Sequence, residues 1–249
     1  MKRTAVLIAV LSVMLSLLPA TAQHTVYLPL VLANYSASHD PWQPQTLLEL
    51  TGTGEVVTDN YTWPACEKTV FYWSAEVGQY GSASLIIKLY QIGREWPYYI
   101  VNELEFDAPH AIAGQSLESL EGGEYYLASS NTDARWSLVV QCHDGQPGLE
   151  GPLALEGSGH IVSSNYSLPR CSKSVFSWRI IPNDRGTASL IAKLFTVGED
   201  RPDYLINELE FDAVEPVSGE SLEPLSGGLY YLSTENVNGT WSLRWECRD

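Results

Sequence analysis

The residues best suited to chemistry lie in a seven-residue run, NELEFDA, that occurs twice unchanged, at Asn102–Ala108 and Asn207–Ala213. Each run sets three carboxylates at alternate positions: Glu103, Glu105 and Asp107 in the first, Glu208, Glu210 and Asp212 in the second. In an extended chain alternate side chains point the same way, about 6.5 to 7 Å apart. Such a ladder could offer oxygen ligands to calcium, which takes carboxylates in loosely defined geometry. It could supply the carboxylate pair of a glycosidase, held about 5 to 10 Å apart across a cleft. Its third use is the plainest, as the wet face of a half-buried strand whose Leu104, Phe106 and Ala108 turn to a core.

The strict alternation favours the strand. Neighbouring carboxylates on one strand do not flank a substrate, so glycoside hydrolysis is the weakest reading. Calcium is the only cofactor the sequence suggests, and no D-x-D-x-D-G loop supports it. The apolar YIV just upstream breaks the alternation and predicts a bulge or strand switch near Asn102. Lys88 and Lys193 point away from Leu85, Leu89, Leu190 and Leu194 and are expected to face the ladder, each such pair worth about 0.2 to 1 kcal/mol.

Other reactive residues are sparse. The histidines are His24, His39, His110, His143 and His160, and the chain has no HExxH, GxSxG or P-loop pattern. A noncatalytic protein is the expectation. The aromatics offer binding instead. WPYY (Trp96–Tyr99) stands where a second, related segment reads RPDY (Arg201–Tyr204), and Trp63 stands where that segment has Leu168. A position that accepts Trp or Arg, and Tyr or Asp, reads as surface, so Trp96 and Tyr98, with Trp63, are the candidate ligand-binding residues. Exposed aromatic rings suit carbohydrate and protein partners.

These residues sit on a duplicated scaffold. Shifting the chain by about 105 residues aligns Leu48–Asp144 with Leu153–Asp249 without a gap, matching Cys66 with Cys171, Trp73 with Trp178, Gly114 with Gly219, Trp136 with Trp241 and Cys142 with Cys247. Features shared by both copies belong to the fold, and unshared ones are available for function. Each copy carries short β-type runs, which in the first are Thr69–Trp73, Ala83–Ile92, Tyr98–Phe106, Glu124–Ala128 and Trp136–Cys142, with shorter candidates near Val56 and Leu117. Helical periodicity is missing. The expected fold is all-β, two tandem antiparallel β-sandwiches of jelly-roll or Greek-key type. The Gly-Gly pairs before Tyr125 and Tyr230 predict tight hairpin turns. In the last strand Trp136, Leu138, Val140 and Cys142 share one face, as do Trp241, Leu243, Trp245 and Cys247, and that face is expected inside.

Compartment follows from the ends and the cysteines. Lys2-Arg3, an apolar run over Ala5–Leu18 and the small residues Ala20-Thr21-Ala22 read as a secretory leader over 1–22, so the protein is expected outside the cell or on its surface. An N-terminal segment follows over 23–46, then repeat 1 (47–144), a linker (145–151) and repeat 2 (152–249). In an oxidising compartment the four cysteines are expected to pair as Cys66–Cys142 and Cys171–Cys247, the pairing that closes each copy on itself. A net charge of −16 without a basic stripe argues against nucleic acid. No segment after the leader is long and apolar enough to span a bilayer. Asn-x-Ser/Thr triplets begin at Asn34, Asn60, Asn165 and Asn238, and the matched pair Asn60 and Asn165 reads as turn-forming.

Two stretches carry a family likeness. ASLIIKLY is similar to the central apolar strand, and GGEYYLASSNTDARWSLVV to the closing hairpin and last strand, of bacterial secreted β-sandwich modules called pre-peptidase C-terminal domains. The resemblance covers the latter two thirds of each copy. This chain departs from it in its cysteine pair and in lacking an Asp-rich start to the central strand. The resemblance implies a noncatalytic accessory that binds matrix or assists secretion.

Overall fold

The computed structural model describes residues 43–81, 83–105, 110–183, 186–199, 201–210 and 212–248, without the side chains of 103–105 and 236. The expected leader, His24, Asn34, His39 and Asp107 lie outside the described residues.

Repeat 1 comprises β1 (Gln45–Thr53), β2 (Tyr61–Trp63), β3 (Cys66–Ala75), β4 (Ala83–Gln91), β5 (Tyr98–Glu105), β6 (Ile112–Leu120), β7 (Gly123–Ser130) and β8 (Arg135–Cys142). Repeat 2 comprises β9 (Ala154–Ser158), β10 (Tyr166–Leu168), β11 (Cys171–Ile181), β12 (Ala188–Thr196), β13 (Asp203–Glu210), β14 (Val217–Leu225), β15 (Gly228–Asn238) and β16 (Thr240–Cys247). The sheets of repeat 1 run β1-β8-β3-β6 and β2-β7-β4-β5, and those of repeat 2 run β9-β16-β11-β14 and β10-β15-β12-β13. Neighbouring strands in each sheet are antiparallel, and each sheet interleaves strands from the two ends of its repeat. This is the order of the eight-stranded jelly roll. Among the described residues no helix is long and apolar enough to cross a membrane.

Period-two burial builds the cores. Phe71, Trp73 and Ala75 of β3 and Leu85, Ile87 and Leu89 of β4 are buried in repeat 1, as are Phe176, Trp178, Ile180, Leu190 and Leu194 in repeat 2. The duplicated Trp–Gly matches have a steric cause. Trp73 lies across Gly114 on the paired strand, where an added Cβ would come within 2.5 Å of the indole, and Trp178 lies across Gly219 at the same distance. Only glycine leaves room for the ring at these positions. The last strands face inward as expected: Trp136, Leu138, Val140, Trp241 and Leu243 are buried, and Trp245 packs half-buried against its core. Both expected disulfides are formed, each between cysteines 76 positions apart.

Three expectations about local structure are corrected. Val56-Val57 is not a strand; Val57 makes one isolated bridge to Ala128, while β1 and β2 supply the first strands. The Gly-Gly segments are not hairpin turns, because β6 and β7 belong to different sheets and the glycines form the corner between them. Gly227 holds φ at +83°, and a Cβ there would meet the Arg170 nitrogen at 2.8 Å, so the corner needs glycine for shape and for space.

The third correction concerns the acidic strand. The register skips one residue between Ile87↔Val101 and Lys88↔Tyr99, which places a bulge at Ile100; the equivalent bulge is at Leu205. A bulge was expected near Asn102; it lies two residues earlier, and the strand enters it with Tyr98 inward and Tyr99 outward, which sets the face of the residues that follow. Leu85 is opposite Glu103, Leu190 opposite Glu208, and Ser189 opposite Leu209. In repeat 2 Leu209 is accordingly 58% exposed and Glu208 half-buried, the reverse of a wet carboxylate ladder over an apolar inner row.

Candidate functional site

The turn joining β4 to β5 carries the unmatched Trp96, and the outer face of β2-β7-β4-β5 beside it carries rings whose repeat 2 counterparts are also aromatic, Tyr99 with Tyr204, Tyr126 with Tyr231 and Tyr90 with Phe195. Trp96 in that turn is 72% exposed. Tyr99 opposite Lys88 is 58% exposed, and the lysine ammonium lies 5.0 Å from its ring. Tyr90 and Tyr126 stack beside them with centroids 4.7 Å apart and planes 3° apart. Tyr98 points to the other side of the strand. It is half-buried against the core, and the Arg94 guanidinium covers its ring at 4.2 Å and donates to its hydroxyl. Burial raises the Tyr98 phenol, Arg94 lowers it, and Glu118 and Glu121 raise it further. Tyr98 thus anchors the turn that presents Trp96, and Tyr99 replaces it on the exposed face.

Trp63 does not belong to this surface. It is 4% exposed and stacks between Tyr61 and Tyr125, with centroid distances of 6.3 and 5.3 Å. Its counterpart Leu168 is 2% exposed, so Trp and Leu are two fillings of one core position. Trp63→Ala is expected to cost about 3 to 5 kcal/mol, as a buried indole truncation does, and chemical denaturation measures it. Ligand binding per folded molecule should be unchanged in that variant.

Of the candidate calcium ligands, the side chains of Glu103 and Glu105 and all of Asp107 lie outside the described residues, and the repeat 2 set is not drawn into one group. In repeat 2 Glu210 is exposed, and Asp212 is an exposed turn residue with φ at +57°. Among the described residues the one close group of three potential ligands is Cys66, Cys142 and Asp144, and its two sulfurs are joined in the disulfide. The matched lysines serve other partners. Lys193 pairs with Glu235 at 2.7 Å and lies 5.4 Å from the Tyr204 ring. A shallow depression on repeat 2, lined by Glu156, Arg179, Ile181 and Trp241 among others, holds one carboxylate rather than the pair a glycosidase requires.

Sequence reasoning missed the contact between the repeats. Lys68 is 4% exposed; its ammonium donates to the Ser163 carbonyl and to Asn165 Oδ1, both at 2.8 Å, and lies 4.3 Å from the Tyr231 ring. Asn165, 2% exposed, donates in turn to the Gln146 carbonyl, so this asparagine serves the joint and not only a turn. The edge strand β6 is capped by the 159–162 segment: Gln115 N–H donates to the His160 carbonyl at 3.1 Å, and Val162 N–H donates to Gln115 Oε1 at 2.9 Å. His160 stands edge-on to Trp73. The linker is docked too, since Leu149 donates to the Asn165 carbonyl and accepts from Ser167. The only signal in the sequence was the set of mismatches at these positions, Gln115 against Glu220 and His160 against Glu55.

Burial shifts the charges at this joint. The Lys68 ammonium is pulled down to about 7 by burial, with Asp144 acting the other way. The Glu118 carboxyl is pushed up to about 7 by burial and by Glu235, against Arg94 and Lys193. Burial also lowers His143 and His160.

No protein family matches the chain, and no characterised protein does. Among solved structures, the atomic structure of Sulfolobus Turreted Icosahedral Virus includes a chain covered over 100% of its length that covers 88% of this one, at 10% identity and a TM-score of 0.25. That likeness is too slight to bear on fold or function.

Proposed function

We propose that the protein is a secreted, noncatalytic tandem jelly-roll module that binds an extracellular carbohydrate or protein partner through the outer sheet and the β4–β5 turn of repeat 1. The observation that carries this reading is Trp96, an indole 72% exposed on a turn held by the Arg94–Tyr98 contact. An anchored aromatic loses little conformational freedom on binding, which is what makes Trp and Tyr strong contact residues. Tyr99 beside Lys88 adds a second ring with a cation at its face. The likeness to secreted accessory modules points the same way.

Glycan and matrix-protein arrays test the proposal. The Trp96→Ala, Tyr99→Ala variant should lose at least about tenfold in affinity for whatever ligand the protein captures, as expected for truncated contact anchors. Its melting temperature should not change, because both rings are exposed. Capture that survives both truncations at full strength, or no capture on any surface, contradicts the proposal.

A further inference from the structure

The contact between the repeats is head-to-tail. Repeat 1 contributes Lys68 and Gln115 from the β1-β8-β3-β6 side, and repeat 2 contributes Asn165, Val162 and Tyr231 from the β10-β15-β12-β13 side. Two different surfaces meet, and because the repeats are duplicates each carries both. One copy of each surface is consumed in the joint. The other is exposed, among the described residues, at the far end of its repeat.

Matched residues show the difference directly. Lys68 is 4% exposed, and its counterpart Lys173 is an exposed residue. Asn165 is 2% exposed, and its counterpart Asn60 is exposed. Tyr231 is 5% exposed, and Tyr126 is half-buried. Val162 of the joint is half-buried and its counterpart Val57 is 69% exposed; Leu117, two positions beyond Gln115 on β6, is half-buried and its counterpart Leu222 is 60% exposed. The chemistry needed for a second joint is retained. Lys173 supplies the ammonium, Asn60 the amide oxygen, and the stacked Tyr90–Tyr126 pair the ring face that Phe195–Tyr231 supplies in the existing joint. Glu220 stands where Gln115 does, and its carboxylate already accepts from Arg248 at 3.0 Å and from Ser177, so the Val57 N–H of a second joint shares that acceptor with them. Ser130 stands where Glu235 crowds Glu118, so a second joint would lack that repulsion. One departure is Glu55, a carboxylate where the joint has the His160 ring.

From this we infer that copies of the chain associate head-to-tail, the Lys173–Leu222 face of one docking on the Asn60–Tyr126–Val57 face of the next in the geometry of the internal joint. A contact between unlike faces continues into a ring or an open filament, not a two-fold dimer. The inference names a second copy as the partner for the outer sheet of repeat 1, and so rests on that sheet being a contact surface. It does not depend on the Trp96 ligand.

Sedimentation velocity over a wide concentration range tests it, with Lys173→Glu and Asn60→Arg as variants that each disable one face. Both positions are exposed, so a thermal melt matching the parent confirms folding. The parent should grow in mass with concentration, and each variant alone should stay at the mass of one chain. An equimolar mixture still holds one intact copy of each face and should stop at twice that mass. A parent that remains a single chain throughout, variants that assemble like the parent, or a mixture that stays single would each overturn the inference. Array binding that depends on Trp96 in a protein that never assembles would leave the proposed function standing without it.

Discussion

Removing the Cys66–Cys142 bridge, as Cys66→Ala with Cys142→Ala, is expected to lower the stability of repeat 1 by about 4 kcal/mol. The bridge closes a loop spanning 76 positions, and a cross-link of that length restricts the unfolded chain by roughly that amount. For a domain of about 100 residues the melting temperature should fall by about 15 °C or more. The bridge ties the start of β3 to the end of β8, neighbours in one sheet, so the folded sandwich loses few contacts when it is cut. Calorimetry on the double variant checks this. A fall of only a few degrees would mean that the sheet, and not the cross-link, limits unfolding.

Lys68→Glu is expected to separate the two jelly rolls at a cost of about 3 kcal/mol or more. The Ser163 carbonyl and the Asn165 amide oxygen would lose their donor and face a buried carboxylate, so both acceptors and the new charge go unpaired. The radius of gyration from small-angle scattering should rise, and a single thermal transition should split in two. The same lysine gives a pH signature of known sign. Burial holds its folded value near 7 against an ordinary 10.5, so between those values the docked chain carries fewer protons than the undocked chain. Docking therefore strengthens as pH rises through that window, and the burial penalty on the charged form is fully present below it. Lys68→Met should abolish the rise in melting temperature between about pH 7 and 9. His143 and His160 shift to the acid side, whereas Glu118, pushed up to about 7, loses its proton at the lower edge of the window and acts in the opposite direction there, so the Lys68 rise is read in the upper part of the window.

The fold class was legible because it rests on period-two burial and on duplication, which a single sequence displays in full. The cysteine pairing followed for the same reason, since only intra-copy pairs close each unit. The acidic strand went wrong at a countable place. The strand enters its bulge at Ile100 with Tyr98 inward and Tyr99 outward, the reverse of the phase read from WPYY, and every side chain beyond the bulge is then on the other face. Trp63 was misread because a mismatch between copies was equated with exposure. Trp and Leu differ in volume but not in preference for a core, whereas Trp96 against Arg201 differs in polarity, and that mismatch did mark surface. The joint between repeats was hidden by the opposite effect. Lys68 and Lys173 are the same letter in two environments, and only the arrangement of the repeats tells them apart.

That pair also supplies the most direct test of the central claim, that repeat 2 covers on repeat 1 what stands open at its own far end. Brief amine acylation of the dilute native protein, followed by peptide mass spectrometry, compares Lys68 with Lys173 in one sample. Rapid modification of Lys173 with Lys68 protected until the protein unfolds is the result expected. Equal modification of the two lysines would contradict it, because the repeats would then be separate beads and neither surface would have a template.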